Sequence, residues 1–504
     1  MAAAVPTYPD WKAPAEDGAI VTWPAPRELL DDAIENQKRL SACDDVRVQN
    51  VPVAEMRRRT RAWLGHDDAT SPIIADGHQA ELYHPGVWAK TVLANAAASR
   101  LGGVALHVAV DTDAPKHLNL KYPGSSEPIT DDDRIGKAHW SGLLSGPTPA
   151  HLAQLQQKLA ATKYATDSML EPFLASLRRQ SIEQPNLATA LTQACHEIDW
   201  ELGLRHRAIL ASPLWESEGF LLFAHHVIAR AADFARDYNA ALAQYRRDQK
   251  VKTPTRPMPD LATFEESIEL PFWLDELATG ARTRPSTFVC DDCDGQFLLT
   301  LPSGEEFLFD RAADGFEAAA KLRDWLRKNQ LRLSPRALTL TMFLRLFVAD
   351  QFIHGIGGGH YDQVTDRIIA SHFNLTPPHF AVTTATMYLP EAAERSRVCV
   401  PCIEQEGHRL KHSLLGEKKR GYLDRIASLP RRSPQRYQAF AEMHRAMSSA
   451  VMNHPTMATW QQTLRETRQR EAEEAILFDR ELFYCLQPAE RLEAVVARYA
   501  NEFK

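Results

Sequence analysis

The chain alternates between apolar runs and stretches in which apolar residues return every three or four positions. Residues 71–79 and 104–113 are short apolar runs of the kind that form buried strands, and the second ends in two carboxylates. Between them lies a helical pattern that begins at Pro85 and ends before Gly102, residue types favoured in the first turn and at the end of a helix. Strand, helix and strand in this order predict a βαβ unit, and therefore a parallel sheet with ligands near the carboxyl ends of its strands.

The rest of the chain shows other spacings of its apolar residues. From about residue 148 to 250 the apolar residues keep helical spacing, which predicts a helical insertion. Residues 285–310 alternate between apolar and polar and contain Asp-Gly and Ser-Gly turns, which predicts a small β-hairpin element. Residues 333–373 join an apolar helix to a glycine-rich turn and a second, amphipathic helix, and the chain from about residue 390 is mostly helical and strongly charged.

Composition limits the class of protein. A chain of 504 residues is too long for one ordinary core. Its 58 basic and 65 acidic side chains give a net charge of -7, which argues against a large basic field, so we expect no nucleic acid partner. The start of the chain does not have the pattern of a secretory signal, and the longest apolar stretches are interrupted by polar residues and fall short of the roughly 20 residues that span a bilayer. We therefore expect a cytoplasmic protein without a membrane partner.

The stretch DGHQAELYHPGVWAK places polar side chains where the first strand gives way to the helix. Gly77 permits a tight turn, and His78 and Gln79 are then expected near the helix N-terminus, whose unpaired amides and dipole favour anions. Lys90, one turn further on, is a candidate counter-charge. The alternative is a structural strand-to-helix turn that carries a surface histidine.

Two carboxylates, Asp111 and Asp113, follow the second predicted strand. In a parallel sheet they lie beside the same crevice, where they are able to orient an amine or a hydroxyl, or to hold a hydrated metal ion. The alternative is a solvated loop in which aspartate serves as a turn former.

A second candidate anion site lies in the stretch HGIGGGHYD. Gly357, Gly358 and Gly359 precede His360 and are able to present consecutive backbone amides to an anion, although their spacing matches neither the P-loop nor the dinucleotide-binding pattern. Arg336, upstream in LSPRAL, supplies a planar charge suited to a carboxylate or a phosphate. The alternative is a loop at a helix end together with a surface arginine.

Four of the seven cysteines form two CxxC pairs, Cys290 with Cys293 and Cys399 with Cys402. Two such pairs complete the closed tetrahedron of a structural zinc ion if the fold brings them together, and we assign this ion no catalytic role. His408 is an alternative ligand, and the other interpretation is reduced, unpaired cysteines in a hairpin turn and a helix. A thioredoxin-type redox role is not expected, because neither pair is predicted to open a helix after a strand of a βαβ unit.

Several of these blocks together point to a known family. GHQAELYHPGVWAK, the following strand that ends in acids, and LSPRAL leading to a Gly-Gly turn and YDQVTDRII resemble the bacillithiol-synthesis cysteine-adding enzymes. Gly77, His78 and Gln79 match the Gly-Gln-Gln turn of that family, and Gly357 with Gly358 match its Gly-Gly turn. The sequence departs from the family pattern at His78, which replaces a glutamine, in a shorter acidic strand end, and in its two CxxC pairs.

The resemblance implies a Rossmann-like core with inserted elements and a helical coiled-coil domain that forms a homodimer. The expected fold class is therefore α/β, with a Rossmann-like parallel sheet core, a helical insertion, a small β-hairpin element and a helical C-terminal region. The expected segments are an N-terminal arm (1–60), the first half of the core (61–147), the helical insertion (148–252), the hairpin element with the second half of the core (253–389), and the helical C-terminal region (390–504).

The family joins the carboxylate of cysteine to an amine. We therefore expect a ligase-like enzyme that couples an amino acid, cysteine or a similar one, to an amine-bearing small molecule, with ATP or another nucleotide as cofactor. His78 is the first candidate at the reacting centre, Asp111 or Asp113 would orient the amine or accept its proton, and the two glycine turns with Lys90 and Arg336 would bind anionic groups. Two other classes stay open: a non-catalytic nucleotide or small-molecule binding protein, and a zinc-organised assembly protein.

Overall fold

The computed structural model describes residues 8–68, 70–184, 186–290, 296–395, 398–452 and 454–504, with only the backbone described at residue 290. The chain forms two compact units. The first takes in the residues up to 387 together with 480–504, and the second takes in residues 388–479. The arm, the core, the helical insertion and the hairpin element all belong to the first unit, and the predicted C-terminal region is divided between the two.

The strands of the described residues lie mainly in the first 390 positions. In chain order they are β1 (Ile20–Trp23), β2 (Arg47–Val48), β3 (Val51–Pro52), β4 (Ile73–Gln79), β5 (Val104–Val110), β6 (Asn119–Tyr122), β7 (Ser125–Pro128), β8 (Arg207–Leu210), β9 (Ser267–Glu269), β10 (Phe272–Glu276), β11 (Arg282–Thr283), β12 (Ser286–Cys290), β13 (Gln296–Thr300), β14 (Glu306–Phe309), β15 (Leu331–Pro335), β16 (Gln351–His354) and β17 (Phe380–Ala385).

The helices occupy more of the chain than the strands do. In chain order they are α1 (Pro26–Ser41), α2 (Val53–Trp63), α3 (Pro85–Leu101), α4 (Pro149–Ala160), α5 (Leu170–Glu183), α6 (Leu187–Glu201), α7 (Ala211–Trp215), α8 (Glu218–Ala229), α9 (Ala231–Asp248), α10 (Gly315–Lys328), α11 (Ala337–Phe347), α12 (Ile356–His372), α13 (Val400–Ser413), α14 (Glu417–Ser428), α15 (Pro434–Met452), α16 (Pro455–Glu474) and α17 (Ala489–Glu502). Within the described part of the chain, every helix lacks either the length or the apolar character that crossing a membrane requires.

The first unit contains a six-stranded sheet in the order β1-β17-β16-β4-β5-β8. Five neighbouring strands run parallel, and only the edge strand β1 is antiparallel to its neighbour. The protein is therefore a mixed α/β protein with a mostly parallel sheet. The predicted βαβ unit is confirmed as β4-α3-β5: the helix begins at Pro85, and Gly102 ends it in the left-handed conformation with a φ of 65°.

Successive residues of β4 point to opposite faces of the sheet. Ile73 and Ala75 join the large apolar core together with Ile368 of α12. Asp76 points to the other face, where Thr91 of α3 donates a hydrogen bond to its carboxylate at 3.4 Å. The helices that follow β4 and β16 therefore cover opposite faces of the sheet, and both begin at its carboxyl edge.

A buried carboxylate at the amino edge of the sheet holds β16 beside β4. Asp350 directly precedes β16 and accepts a hydrogen bond from the backbone N–H of Ile73 at 2.7 Å. Its other partners are two buried arginines, Arg61 at 2.9 Å and Arg57. Because all of these groups are buried, the network favours one pairing of β4 with β16.

Two segments contribute to the main sheet although the sequence pattern did not predict it. The N-terminal arm supplies β1, and the predicted helical insertion supplies β8 between α6 and α7. Both are only four residues long and carry no alternating apolar pattern, so periodicity does not reveal them. The small hairpin element is confirmed as β12 and β13, which form an antiparallel sheet with β9 and β14.

Candidate functional site

The carboxyl ends of β4 and β16 meet where the order of strands along the sheet reverses. From β4 the chain continues to β5 and β8 on one side, and it later returns through β16 and β17 on the other. The two strands are parallel, and their last paired residues are Asp76 and Ile353. His78 and Gly355 each follow two residues later, so the two stretches singled out from the sequence lie at one edge of one sheet. Open parallel sheets bind their ligands at such reversal points.

His78 stands at the end of β4 and is held by a carboxylate. Its Nε2 lies 3.1 Å from Oε1 of Glu81, and its side chain is 23% exposed. Because an ionised carboxylate only accepts hydrogen bonds, Nε2 carries the hydrogen and Nδ1 keeps its lone pair. Burial and the charge of Lys90 lower the pKa of His78 to about 4. The imidazole is therefore neutral at pH 7 and has one nitrogen available as an acceptor.

Glu81 joins two loops of the site. Besides contacting His78, it accepts hydrogen bonds from the backbone N–H groups of Lys116 at 2.7 Å and His117 at 3.0 Å. Burial raises the pKa of the Glu81 carboxyl, but the hydrogen bond and charge of His78 and, to a lesser extent, the two backbone bonds keep it below the ordinary value. Glu81 therefore positions His78 against the segment after β5. The sequence offered a signal for it, since Glu81 is a carboxylate three positions after His78, between the apolar residues Ala80 and Leu82.

Lys90 lies beneath the end of β4 rather than in an open crevice. Its ammonium donates to the backbone oxygen of Gly77 at 2.6 Å, and the residue is 4% exposed. Burial lowers the pKa of Lys90, and the nearby carboxylates of Asp76 and Glu81 oppose that shift. The predicted counter-charge is therefore present at the strand end, where it fixes the backbone of Gly77.

A buried pair that the sequence analysis missed lies one layer deeper. Asp76 of β4 accepts a hydrogen bond from Nδ1 of His107 of β5 at 2.7 Å. Burial raises the pKa of Asp76, but the charge and hydrogen bond of His107 together with the charges of Lys90 and His206 lower it, and the net shift is downward. Each of these residues interrupts an apolar strand, and that interruption was the signal that could have identified them.

The predicted carboxylates after β5 are both engaged by the protein. Asp113 accepts from the side-chain amide of Gln79 at 2.9 Å, which links the ends of β4 and β5. Asp111 accepts from the backbone N–H of Ser212 at 2.8 Å and from its hydroxyl. Burial raises the pKa of Asp111 despite these bonds. Asp111 therefore anchors the start of α7, whereas Asp113 and Gln79 bind each other at the carboxyl edge of the sheet.

The start of α3 is capped by the protein itself. His84 precedes Pro85 as the N-cap, and its Nδ1 accepts from the backbone N–H of Gly86 at 3.0 Å. Burial and the charge of Arg480 lower the pKa of His84 to about 3, so this acceptor stays available at neutral pH. The first turn of α3 thus already has a partner, and the better anion site is the start of α12.

The glycine-rich segment was predicted as a turn, and this prediction was wrong. Gly355 is the N-cap of α12, no side chain caps that helix within the described residues, and Gly357 to Gly359 lie in its first turn. A Cβ at Gly357 would meet no atom within 4 Å, whereas one at Gly358 would lie 2.8 Å from His354 and one at Gly359 would lie 2.5 Å from Val382. Glycine is therefore needed for close packing at the last two positions, and open space lies in front of Gly357.

Two predicted anion-binding residues lie among other partners. Arg336 donates to Glu269 at 2.6 Å, and its guanidinium lies 5.6 Å from the ring of Trp273, so its charge is already compensated. His360 packs beside Trp11, with ring centroids 5.2 Å apart. Within the described part of the chain, the partners of Arg336 and His360 are these residues and not the end of β4. The structure therefore reduces the candidate site to the residues at the ends of β4, β5 and β16.

The structure describes one of the two CxxC pairs in full. In the second unit Cys399 and Cys402 form a disulfide, and Cys399 is the N-cap of α13. This pair therefore lies at the start of a helix, in a unit whose described residues form no strand, so the helix does not follow a strand of a βαβ unit there. Cys293 and the side chain of Cys290 lie outside the described residues. Among the residues that the structure describes, no group of three or more histidine, cysteine or acidic side chains is arranged to hold a metal ion.

Comparison with known proteins adds no assignment. No protein-family model matches the chain, and a search of curated proteins finds no relative. The case for a function therefore rests on the chemistry of the residues at the carboxyl edge of the sheet.

Proposed function

We propose that this chain is a ligase-like enzyme with a Rossmann-like core, which couples an amino acid, cysteine or a similar one, to an amine-bearing small molecule. The observation that carries the proposal is the meeting of His78 and the start of α12 at the point where the strand order of the sheet reverses. Two of the motifs that resemble the cysteine-adding enzymes, the Gly-His-Gln end of β4 and the Gly-Gly segment of α12, lie at this edge of the sheet, whereas Arg336 of LSPRAL pairs with Glu269.

An anionic group of the substrate would bind at the start of α12. The first-turn amides of a helix have no partner within the helix, and they carry the positive end of its dipole. Gly355 and Gly357 leave the approach open, since a Cβ at either position would meet nothing within 4 Å. Lys90 adds a positive charge beneath the neighbouring strand end.

His78 would serve the reacting amine. An amine that forms an amide bond must lose a proton, and a group within hydrogen-bond reach is needed to accept it. The lone pair on Nδ1 of His78 suits this role because Glu81 holds the opposite nitrogen. Its low pKa keeps the ring unprotonated, so that the base form is present at neutral pH. Asp113 borders the same crevice and would orient the amine.

The site contains some of the hydrogen-bond donors that a bound nucleotide needs. Helix amides and a lysine are groups that hold phosphate oxygens, and bound ATP would supply the activation that a carboxylate needs. Structural zinc is a weaker proposal, since the disulfide between Cys399 and Cys402 leaves neither sulfur as a thiolate. No step of the proposed reaction depends on a zinc ion.

Exchange of labelled pyrophosphate into ATP across a panel of amino acids tests the proposal directly. We expect exchange with cysteine or a similar amino acid, and this exchange should persist in His78→Gln. Amide formation after addition of an amine acceptor should instead fall about a hundredfold in that variant, because the proton acceptor is removed. His408→Gln in the second unit is the matched control and should retain full activity, since this exposed residue lies outside the site.

Thermal shift separates the alternatives. A true ligand at a hundredfold excess over its Kd stabilises the protein by about 2.7 kcal/mol. Stabilisation by ATP without exchange for any amino acid would favour a binding protein without turnover. Absence of stabilisation by any nucleotide, amino acid or amino sugar would contradict the ligase proposal.

A further inference from the structure

The second unit carries a disulfide at the start of a helix. Cys399 is the N-cap of α13, Val400 and Pro401 begin the helix, and Cys402 lies in its first turn. The two sulfurs are bonded to each other, and both cysteines are exposed. By contrast, the free cysteines of the described residues, Cys43, Cys195 and Cys485, are all buried. The one described disulfide is therefore also accessible to a reagent in solution.

The helix start favours negative charge on one of these sulfurs. The backbone N–H of Cys402 donates to Sγ of Cys399 at 3.1 Å. Amides in the first turn of a helix stabilise an anion placed at the N-cap, and cysteines in CxxC pairs at such positions are the reactive ones in thiol–disulfide exchange. When the disulfide opens, Cys399 is therefore the better leaving sulfur and the better nucleophile.

Contacts with α16 keep this end of α13 in place. The indole N–H of Trp460 donates to the backbone oxygen of Ile403 at 2.7 Å, and its ring packs directly against Gly407. Arg468 of the same helix pairs with Glu404 at 2.6 Å. Because these contacts involve the residues just after the CxxC pair, the first turn is supported independently of the disulfide.

A small cavity lies next to the pair. It has a volume of about 130 Å³ and is lined by Val398, Glu471, Glu474, Ala475 and Phe478. Val398 directly precedes Cys399 in the chain, so the cavity borders the segment that leads into the pair. It offers room for part of a thiol compound that approaches the disulfide.

We propose that Cys399 and Cys402 form a redox-active pair that exchanges with thiols. The thiolate of a partner attacks Sγ of one cysteine, which breaks the Cys399–Cys402 bond and forms a mixed disulfide. A second thiol attacks this mixed disulfide and releases the partner disulfide, so that two partner thiols are oxidised and the protein pair is reduced to two thiols. Two electrons and two protons pass to the protein, and the reverse sequence reduces a disulfide.

The test follows the state of the pair in the full-length protein. The protein is equilibrated with mixtures of reduced and oxidised glutathione, or with reduced thioredoxin as a protein dithiol, and is then acid-quenched, alkylated and mapped by peptide mass spectrometry. We expect Cys399 and Cys402 to become reversibly reduced as the glutathione ratio rises, while the buried thiols of Cys43, Cys195 and Cys485 are alkylated to the same extent at every ratio. Reduction by only one of the two reagents would identify the class of partner.

Two variants make the outcome decisive. Cys402→Ser should trap a mixed disulfide between glutathione and Cys399, whereas Cys399→Ser should trap about tenfold less, since only Cys399 has the helix N-cap position. Three results would overturn the proposal: a pair that stays oxidised at every ratio, a pair that is labelled only after chelation and copurifies with zinc, or equal trapping in both variants. The pyrophosphate exchange of the first unit does not enter this test, so the two proposals can fail independently.

Discussion

Lys90 and His78 provide the sharpest test of the electrostatics at the end of β4. Burial and the neighbouring positive charge of Lys90 lower the pKa of His78 from 6.5 to about 4. That difference of 2.5 units corresponds to about 3.4 kcal/mol at 1.36 kcal/mol per unit, and the 23% exposure of the side chain reduces it to roughly 2–3 kcal/mol. Removal of the charge on Lys90 should therefore lower part of this free-energy cost of protonating His78.

The perturbation is a pair of neutral substitutions, Lys90→Gln and Lys90→Met. Gln keeps a donor for the backbone oxygen of Gly77, and Met keeps the apolar length of the side chain. Both remove the charge, so we expect both to raise the pKa of His78 by about one unit, or about 1.4 kcal/mol. Loss of the hydrogen bond to Gly77 should additionally cost the Met variant about 1.5–3 kcal/mol of stability.

Histidine NMR titration is the assay, with His78→Gln to assign the resonance. The native resonance of His78 should not shift between pH 8 and 5.5, and it should begin to titrate within this range in both lysine variants. A native midpoint near 6.5 would refute the burial argument. A native midpoint near 4 that is unchanged in both variants would refute the role of Lys90.

The same pKa shift sets the sign of a pH dependence. The unfolded chain protonates His78 near pH 6.5 and the folded chain near pH 4, so the unfolded state binds more protons between these values. The contribution of the neutral ring to stability is therefore fully present above pH 6.5 and is lost as the pH falls toward 4. His78→Gln should make the fall in stability over this interval shallower than in the native protein.

The remaining predictions concern packing and the pairing of β16 with β4. Gly359→Ala should destabilise the first unit by about 1–3 kcal/mol, because the new Cβ would lie 2.5 Å from Val382. Gly357→Ala should leave the thermal midpoint unchanged or slightly raised, because its Cβ would meet no atom within 4 Å. Equal effects of the two variants would contradict the packing argument. Asp350→Asn should lower the free energy of unfolding, measured in urea, by about 3–5 kcal/mol, because it leaves the buried Arg57 without its charge partner. A loss below 1 kcal/mol would show that the network does not hold the strands together.

Two of the six strands of the main sheet, β4 and β5, followed from local patterns in the sequence. The strands before and after α3, the start of that helix at Pro85 and its end at Gly102 were all predicted, since burial and capping depend on residues within a few positions of each other. The glycine-rich segment misled the prediction because glycine usually marks a turn. In the folded protein, Val382 and His354 crowd Gly359 and Gly358, so the same residues serve close packing at the start of a helix.

Side-chain roles in the site were harder to predict than its location. Gln79 and Asp113 were assigned separate tasks, but they bind each other because β4 and β5 are neighbours. Arg336 was expected at the crevice, and its partner is Glu269, a residue whose position depends on a different sheet. A charged side chain pairs with an opposite charge that lies near it in the folded chain, and the local sequence does not determine which residue carries that charge.

The sequence alone determined the order of β4, α3 and β5, the polar ends of β4 and β5, and an amphipathic helix after the glycines. Tertiary structure alone decided that β16 lies next to β4, and so that His78 shares an edge with the start of α12. The physical reason is that this pairing depends on groups far apart in the chain, above all the bond from the N–H of Ile73 to Asp350. The spacing of apolar residues indicates which side chains are buried. Only the folded chain determines which residues they pack against.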